Sequence, residues 1–575
     1  MSATGSRKLC SILAIILGLL LAGPLSAALI FVDEDSDVVS NDNNCSLREA
    51  VIAANTNTAV DDCTAGQSSG SDGIFVLIGQ TAQSITLSAP LVITDSVSIT
   101  GSGVDNLVLL PSGSGYPAFR VDVANAGEDF SLASLRIGGF SESAVEIVNA
   151  DSVTVQRVSF ANNSHDDCGG AINGLYFPAG PTRSLTELLV SDSEFSFNTS
   201  SDYGGAICIG LEDDVEDAVG ADLTIERSTF LLNSASFGGG AVSARKSESA
   251  LLTVVESTFE GNETGNTDGL EHGGAIATEF GFTTIISSSF DDNSSILGQS
   301  VATGLQSGSA ALVQTRITNS TFVGQANADV FAEIFQSAGE LRLQHNTFSL
   351  DGNGAVFASD SVTARLRANL FVGDVPACQG GGTLISSGFN VEDFISCAFD
   401  ADDEPFTAVE MLPLADYGGP TLTMPPNPNS AAVDLVVGDC FDATANSIVG
   451  ADQRGEPRPR DGDASGGLGQ CDAGAFEWPN ANLLAISFPN DGLGQVQILG
   501  DFPLTCDAPD ACQLPLPENE TYTLIANPAP GSEFTGWGGS CSGHGSCQVT
   551  LDILRFVAAS FELLDDPLFS DRFEN

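Results

Sequence analysis

Lysine is almost absent from this chain: only Lys8 and Lys246 occur. Cations of both kinds number 19 against 75 Asp and Glu, a formal net charge of −56 over 575 residues. Binding to nucleic acid depends on clustered cations that displace condensed counterions, so no nucleic-acid partner is expected. Anionic membrane surfaces are disfavoured for the same reason. Histidine occurs only four times and there is no CxxC, which argues against a zinc site. After residue 28 no apolar run approaches the roughly 20 residues of a membrane-spanning helix, so no transmembrane span is expected in the mature chain. What the chain does hold is 42% hydrophobic residues, enough for a large core, together with 62 Gly.

Residues 1–28 read as a secretory signal. Arg7 and Lys8 form a basic end, Ile12–Ala22 is a short apolar run, and Ser26-Ala27-Ala28 offers a small-residue cleavage site. Cleavage would remove two cations and Cys10, taking the charge from −56 to −58 and the cysteines from 13 to 12. An even count in an exported chain points to disulfides. The twelve fall in local couples: Cys45 with Cys63, Cys168 with Cys208, Cys378 with Cys397, Cys440 with Cys471, Cys506 with Cys512, and Cys541 with Cys547. Connectivity cannot be deduced from sequence; pairing of neighbours is the economical assignment.

A long period dominates the middle of the chain. Phe160, Phe195, Phe230, Phe259, Phe290, Phe322, Phe348 and Phe371 share one local context, at intervals of 35, 35, 29, 31, 32, 26 and 23 residues. Ser or Asn stands two before most of them, and apolar residues stand five and seven before in several copies, the alternation of a half-buried strand. Asn stands three after in Asn163, Asn198, Asn233, Asn262 and Asn293, and four copies carry Gly-Gly-Ala, from Gly169, Gly204, Gly239 and Gly273. A unit of this size cannot bury its own apolar face, so units must stack. Strand-rich units stack as a solenoid with equivalent side chains about 4.8 Å apart. Phe then stacks on Phe, Asn serves αL corners and an amide ladder, and Gly permits corners where a Cβ would clash. The expected fold is all-β: a right-handed parallel β-helix of the pectin-lyase-like kind over 68–400, with a short N-terminal cap helix and a small C-terminal β domain.

Five stretches carry family resemblances. Phe-x-x-Asn with Gly-Gly-Ala-Ile over about 160–300 resembles the repeats of the polymorphic outer membrane proteins, surface β-helices with adhesive roles; later copies put Gln325, Asp351 and Asp374 where the Asn stood. Cys45-Ser46-Leu47-Arg48-Glu49-Ala50, with Cys63 beyond it, resembles the CSLREA N-terminal domain of exported β-helix proteins. It reads as one helix with Ser46 as N-cap and Glu49 closing a capping box, covering the open solenoid end over 29–67. Leu412–Pro420, Asp452–Pro459 and Cys471–Glu477 resemble a choice-of-anchor Q domain, placed at 401–478. Its Arg454, Arg458 and Arg460 suit either a grip on an anionic sugar or pairing with the chain's own acids at the C-terminal end of the solenoid. Residues 479–563, around Phe534, Trp537 and Cys541–Cys547, are similar to a β-repeat module of bacterial surface proteins. The tail 564–575 resembles a terminal tag of exported Gram-negative proteins, which implies secretion or the cell surface or outer membrane of such a bacterium.

No catalytic set stands out. A lyase needs a base beside a carboxylate, and the solenoid offers only Arg227, Arg245 and Lys246 as a loose cluster. Asn266-Thr267-Asp268 and Asp291-Asp292 mimic two polygalacturonase motifs, but Gly543-His544-Gly545 lies in another module and an Arg-Ile-Lys is missing. His165-Asp166-Asp167-Cys168 falls at a corner beside a cysteine. Three acidic runs supply oxygens that calcium, the one cofactor in view, would suit. They are Asp33, Glu34, Asp35 and Asp37; Asp213 and Asp214; and Asp402, Asp403 and Glu404; none matches a calcium-loop pattern. The expected function is an exported, surface-associated scaffold without catalysis, adhesin-like, with glycans or neighbouring cell-surface components as partners. The alternative is a secreted polysaccharide lyase or glycoside hydrolase.

Overall fold

The computed structural model describes residues 28–78, 82–123, 129–176, 185–211, 221–245, 251–265, 272–279, 281–305, 313–324, 332–397, 401–437, 440–442, 447–464 and 469–564. The signal segment through Ala27, Lys246, Asp213, Asp214, Asn266–Asp268 and the tail from Asp565 lie outside these residues. The chain forms two compact units, divided after Leu223. Both are built from coils of a right-handed parallel β-helix, and the only helix among the described residues is Leu47–Thr56.

In the first unit Leu29–Val32 pairs in parallel with Gly73–Val76, so the first coil begins before the helix rather than after it. The helix is an excursion from that coil. Ser46 and Glu49 close the capping box, with Ser46 Oγ accepting from Glu49 N at 3.2 Å and Glu49 Oε2 accepting from Ser46 N at 3.0 Å. Arg48 grips Asp37 and donates to the Pro90 and Ala89 carbonyls, while Asn55 donates to Val92 O. These bonds occupy the edge of Leu91–Ile93, the outermost strand of its sheet, as a cap must. Arg48 and Glu49 are therefore structural. Ile85, Leu87, Leu91, Ile93, Val97 and Ile99 all face the core.

The recurring Phe side chains stack where the intervals place them. Phe160 and Phe195 stand 4.9 Å apart in the first unit. In the second, Phe230, Phe259, Phe290, Phe322, Phe348 and Phe371 form one column with centroids 4.7–5.2 Å apart. Replacing Phe290 with Leu keeps most of the volume but ends two stacking contacts. It should cost about 1–2 kcal/mol of unfolding free energy in denaturant titration.

Left-handed residues recur at three corners of a coil, as at Asp192, Phe197 and Gly204, and the first two of these corners are laced by side-chain ladders. The Asn side chains after the Phe are buried and each accepts from the backbone N–H of the one before it: Asn163 N donates to Asn198 Oδ1 at 3.1 Å, Asn233 N to Asn262 Oδ1 at 3.1 Å and Asn262 N to Asn293 Oδ1 at 3.0 Å. The left-handed residue is not this Asn but the one before it: Asn162, Phe197, Leu232, Gly261 and Asp292 have φ of 55°, 56°, 52°, 63° and 51°. The Asn faces inward, and its amide satisfies the backbone groups that the corner exposes. The Ser or Asn two before the Phe builds the second ladder. In the second unit it runs through Ser257, Ser288, Ser320, Asn346, Asn369 and Asn390, each side chain accepting from the backbone N–H of the preceding coil. Asp403 Oδ1 ends it, accepting from Asn390 N at 2.7 Å. At the Gly-Gly-Ala corner a Cβ on Gly240 would come within 2.1 Å of the Gly274 carbonyl oxygen.

All six cysteine couples are joined as neighbours. Cys45 is bonded to Cys63, Cys168 to Cys208, Cys378 to Cys397, Cys440 to Cys471, Cys506 to Cys512, and Cys541 to Cys547. The Cys168–Cys208 bridge ties one coil of the first unit to the next, and both residues are buried. Cys378–Cys397 joins the last strand of its sheet, Cys378–Gly380, to the loop after Val391–Glu392. Cys506–Cys512 closes the short connection between Leu504–Asp507 and Cys512–Pro517, which belong to different sheets of the C-terminal β domain.

The segment around Asp452–Trp478 does not close the end of the coils but lies along their flank. Thr421 Oγ1 donates to Ser287 O, Gln453 meets Thr321, Asn319 Nδ2 donates to Ala451 O, Ala475 N to Thr347 Oγ1 and Gly474 N to Ala368 O. Residues 481–563 form two four-stranded sheets around a core that holds Trp537, whose Nε1 donates to Gly545 O.

Candidate functional site

Along the strands before the first corner, side chains alternate in and out with period two. In the second unit Ile317, Leu341, Leu343, Ala364 and Leu366 point inward. Their neighbours point outward, and the parallel register stacks Thr253, Thr284, Arg316, Arg342 and Arg365 in one column. Three arginines on successive strands, about 4.8 Å apart, thus stand on the outer sheet face of an acidic protein. Arg367 lies beside Arg365 on the same strand, over the Phe389 ring at 4.9 Å. The adjacent column holds Leu251, Phe282, Gln314, Glu340 and Thr363, with Leu251 and Phe282 each 38% exposed.

Glu340 bridges two of the arginines, 2.9 Å from Arg342 and 2.8 Å from Arg365. Burial raises its carboxyl, but the hydrogen bonds and charges of Arg342 and Arg365 outweigh this and hold it below the usual carboxylate range. It stays ionised and is a poor proton acceptor. Arg316 has no such neighbour: it makes no ion pair or hydrogen bond with any described residue. The face therefore offers one free guanidinium, two shared ones, hydroxyl and amide groups, and an exposed aromatic ring. These are groups for gripping a carboxylate-bearing, hydroxylated chain.

The residues singled out from sequence are mostly used elsewhere. Arg458 pairs with Glu477 at 2.7 Å, both side chains fully buried. Arg454 pairs with Asp452 at 2.7 Å, and Arg460 with Glu456. They pair with the chain's own acids and leave no open arginine cluster. Asp33 accepts from Cys45 N, Asp37 holds Arg48, and Asp403 ends the side-chain ladder. His165 Nδ1 accepts from the N–H groups of Asp167 and Cys168, and Glu142 stands 3.6 Å from Nε2. The Asp291 carboxyl is raised by burial, then by the charges of Glu260 and Asp292, but it stands on the strand beyond the corner from the arginine column. The one group among the described residues that could hold a metal is Asp434, Asp461 and Asp463, with ligand atoms within 4.8 Å of one another. Burial, then the charges of its two neighbours, raises the Asp434 carboxyl.

The arginine column was missed in the sequence although its signal is present. Arg316, Arg342 and Arg365 each stand six before Phe322, Phe348 and Phe371.

No known protein family and no curated protein sequence matches the chain. Solved structures similar to it include the A-module of the mannuronan C-5 epimerase AlgE6 of Azotobacter vinelandii, at 13% identity over 59% of this chain and 87% of that one, TM-score 0.35. A mannuronic acid specific polysaccharide family 6 lyase from human gut microbiota matches at 11% identity over 58% and 85%, TM-score 0.28. The pre-mature bacteriophage phi29 gene product 12 matches at 11% identity over 55% and 53%, TM-score 0.25. At these levels of similarity none of them assigns a function to this chain.

Proposed function

We propose that the protein is an exported β-helical scaffold of the bacterial cell surface that binds anionic glycans without cleaving them. The observation that carries this reading is the column Arg316, Arg342 and Arg365 on the open sheet face. Guanidinium groups suit carboxylates, and a stack at strand spacing suits a linear chain with repeated acidic sugars. Phe282 supplies an apolar face for a sugar ring, and Gln314 and Thr363 supply polar groups for hydroxyls. A binder is favoured over a lyase or hydrolase because the carboxylate among the arginines is held ionised by them.

Calorimetric titration with a galacturonate hexamer and its carboxyl-reduced counterpart tests this. The acidic hexamer should bind, weaken as salt is raised, and remain intact. Arg316→Gln leaves no carboxylate unpaired and should weaken binding about tenfold. Equal affinity for the neutral hexamer, or turnover of the acidic one, would overturn the reading.

A further inference from the structure

The first unit contains a second place where an arginine has no partner among the described residues. Of the described arginines, only Arg316 and Arg136 have neither an ion pair nor a hydrogen bond. Arg136 stands beside Val108 on the neighbouring strand, one position before the core residue Ile137. The chain holds 75 acids, and a cation that pairs with none of those among the described residues is not there to balance charge.

It lines a concavity of about 490 Å³. The floor is made by what is missing: Gly138 and Ala161 are paired on adjacent strands and put no long side chain outward. Val104 and Leu110 form an apolar wall, 39% and 37% exposed. Asn106 and Asn162 place amides at the rim, and Asn106 spends only its Nδ2 on Ser102 O. Asp105 also borders the concavity and makes no ion pair with Arg136. A ligand that fits has a carboxylate for the guanidinium fork, hydroxyls for the amides and for Asp105, and a C–H face for the Val104 and Leu110 side chains. Its size is that of the smaller ligand pockets, of order 300–1,000 Å³.

We infer that this concavity is a separate binding site for a short acidic sugar, one or two uronate residues held by Arg136. The choice of sugar rests on the glycan-binding reading above; the site itself does not include the arginine column.

Titration of the full chain with a galacturonate disaccharide tests it, beside the carboxyl-reduced disaccharide and an N-acetylated tripeptide with a free C-terminus. Arg136→Gln should weaken disaccharide binding roughly ten- to a hundredfold and leave hexamer binding at the Arg316 column in place. Arg136→Lys should restore little, because the planar fork is lost. Arg316→Gln should leave the disaccharide site unchanged. Ala161→Leu, which fills the floor, should abolish the site with Arg136 intact. Disaccharide binding that is indifferent to Arg136, equal binding of the reduced sugar, or tighter Arg136-dependent binding of the peptide would each overturn the inference. If the hexamer fails to bind but the disaccharide binds through Arg136, this site stands and the column reading falls.

Discussion

Arg458→Ala should lower the unfolding free energy of the second unit by about 3–5 kcal/mol, the cost of stranding a buried partner charge. Arg458 Nη1 donates to Glu477 Oε2 at 2.7 Å and to Asp472 O at 3.0 Å, and Nη2 donates to Gly474 O at 2.7 Å. Glu477 in turn accepts from Arg460 N and Asp472 N. Asp472 accepts from Asp434 N and Trp478 N, so its carboxyl and that of Glu477 tie together three chain segments, around Asp434, Arg458–Arg460 and Asp472–Trp478. Burial pushes both carboxyls up; the Glu477 charge adds to this for Asp472, while Arg458 pulls Glu477 back down. Removing the guanidinium leaves Glu477 charged in a dry site or forces it to take a proton. It also frees the Asp472 and Gly474 carbonyls.

The double variant Arg458→Met with Glu477→Gln separates these costs. It removes both charges together, and the Gln oxygen still accepts one of the two backbone N–H groups that Glu477 holds, so it should recover part of the loss. Urea titration followed by the fluorescence of Trp478, which packs 4.6 Å from Phe502, reads the change. A single variant within about 1 kcal/mol of wild type would show that the network does not hold the segment to the coils.

The architecture was legible because a solenoid writes its period into the sequence. Phe spacing located the stacked column, and Asn after Phe located one ladder. The cysteine couples were legible for a related reason: each bridge joins positions close in the chain or one coil apart, as Cys168 and Cys208 are. The serines before Phe were visible as a pattern but not as a second ladder, because a hydroxyl says nothing of its acceptor until the register is known. The αL residue was placed one position late, since Asn is the residue that best tolerates it, yet here Phe197 and Leu232 take it. The arginine column follows the same intervals as Phe322, Phe348 and Phe371, 26 and 23 residues, and was hidden by reading cations as clusters along the chain. The flank position of Asp452–Trp478 was not legible at all. Its bonds to the coils join residues such as Thr321 and Gln453, 132 apart, and no periodicity links them.

Glu333→Gln should stabilise the second unit by roughly 3 kcal/mol at pH 8 and by almost nothing at pH 4. The Gly-Gly-Ala corner gives way to Gly298-Gln299-Ser300 and then Ala332-Glu333-Ile334, so a carboxyl enters a position that alanine fills elsewhere. Glu333 is fully buried, and its Oε2 accepts from Ser300 Oγ at 2.7 Å. Among the described residues no donor reaches its Oε1, which faces the Gly324 backbone, where a Cβ would come within 2.5 Å of it. Burial, with a smaller push from Asp291 and against the Ser300 hydrogen bond, raises this carboxyl from 4.5 to about 7. Below 4.5 the group is neutral whether the chain is folded or not. Between 4.5 and about 7 the unfolded chain releases the proton and the folded one keeps it, so stability falls as pH rises through that window and levels above it. Glutamine keeps the acceptor for Ser300 and cannot ionise, so its advantage grows across the same window. Hydrogen exchange of the Ala332–Gln336 amides reads the local opening free energy directly. A variant that matches wild type at pH 8, or loses protection there, would mean that the ionised carboxylate has a stabilising partner and that burial does not govern this corner.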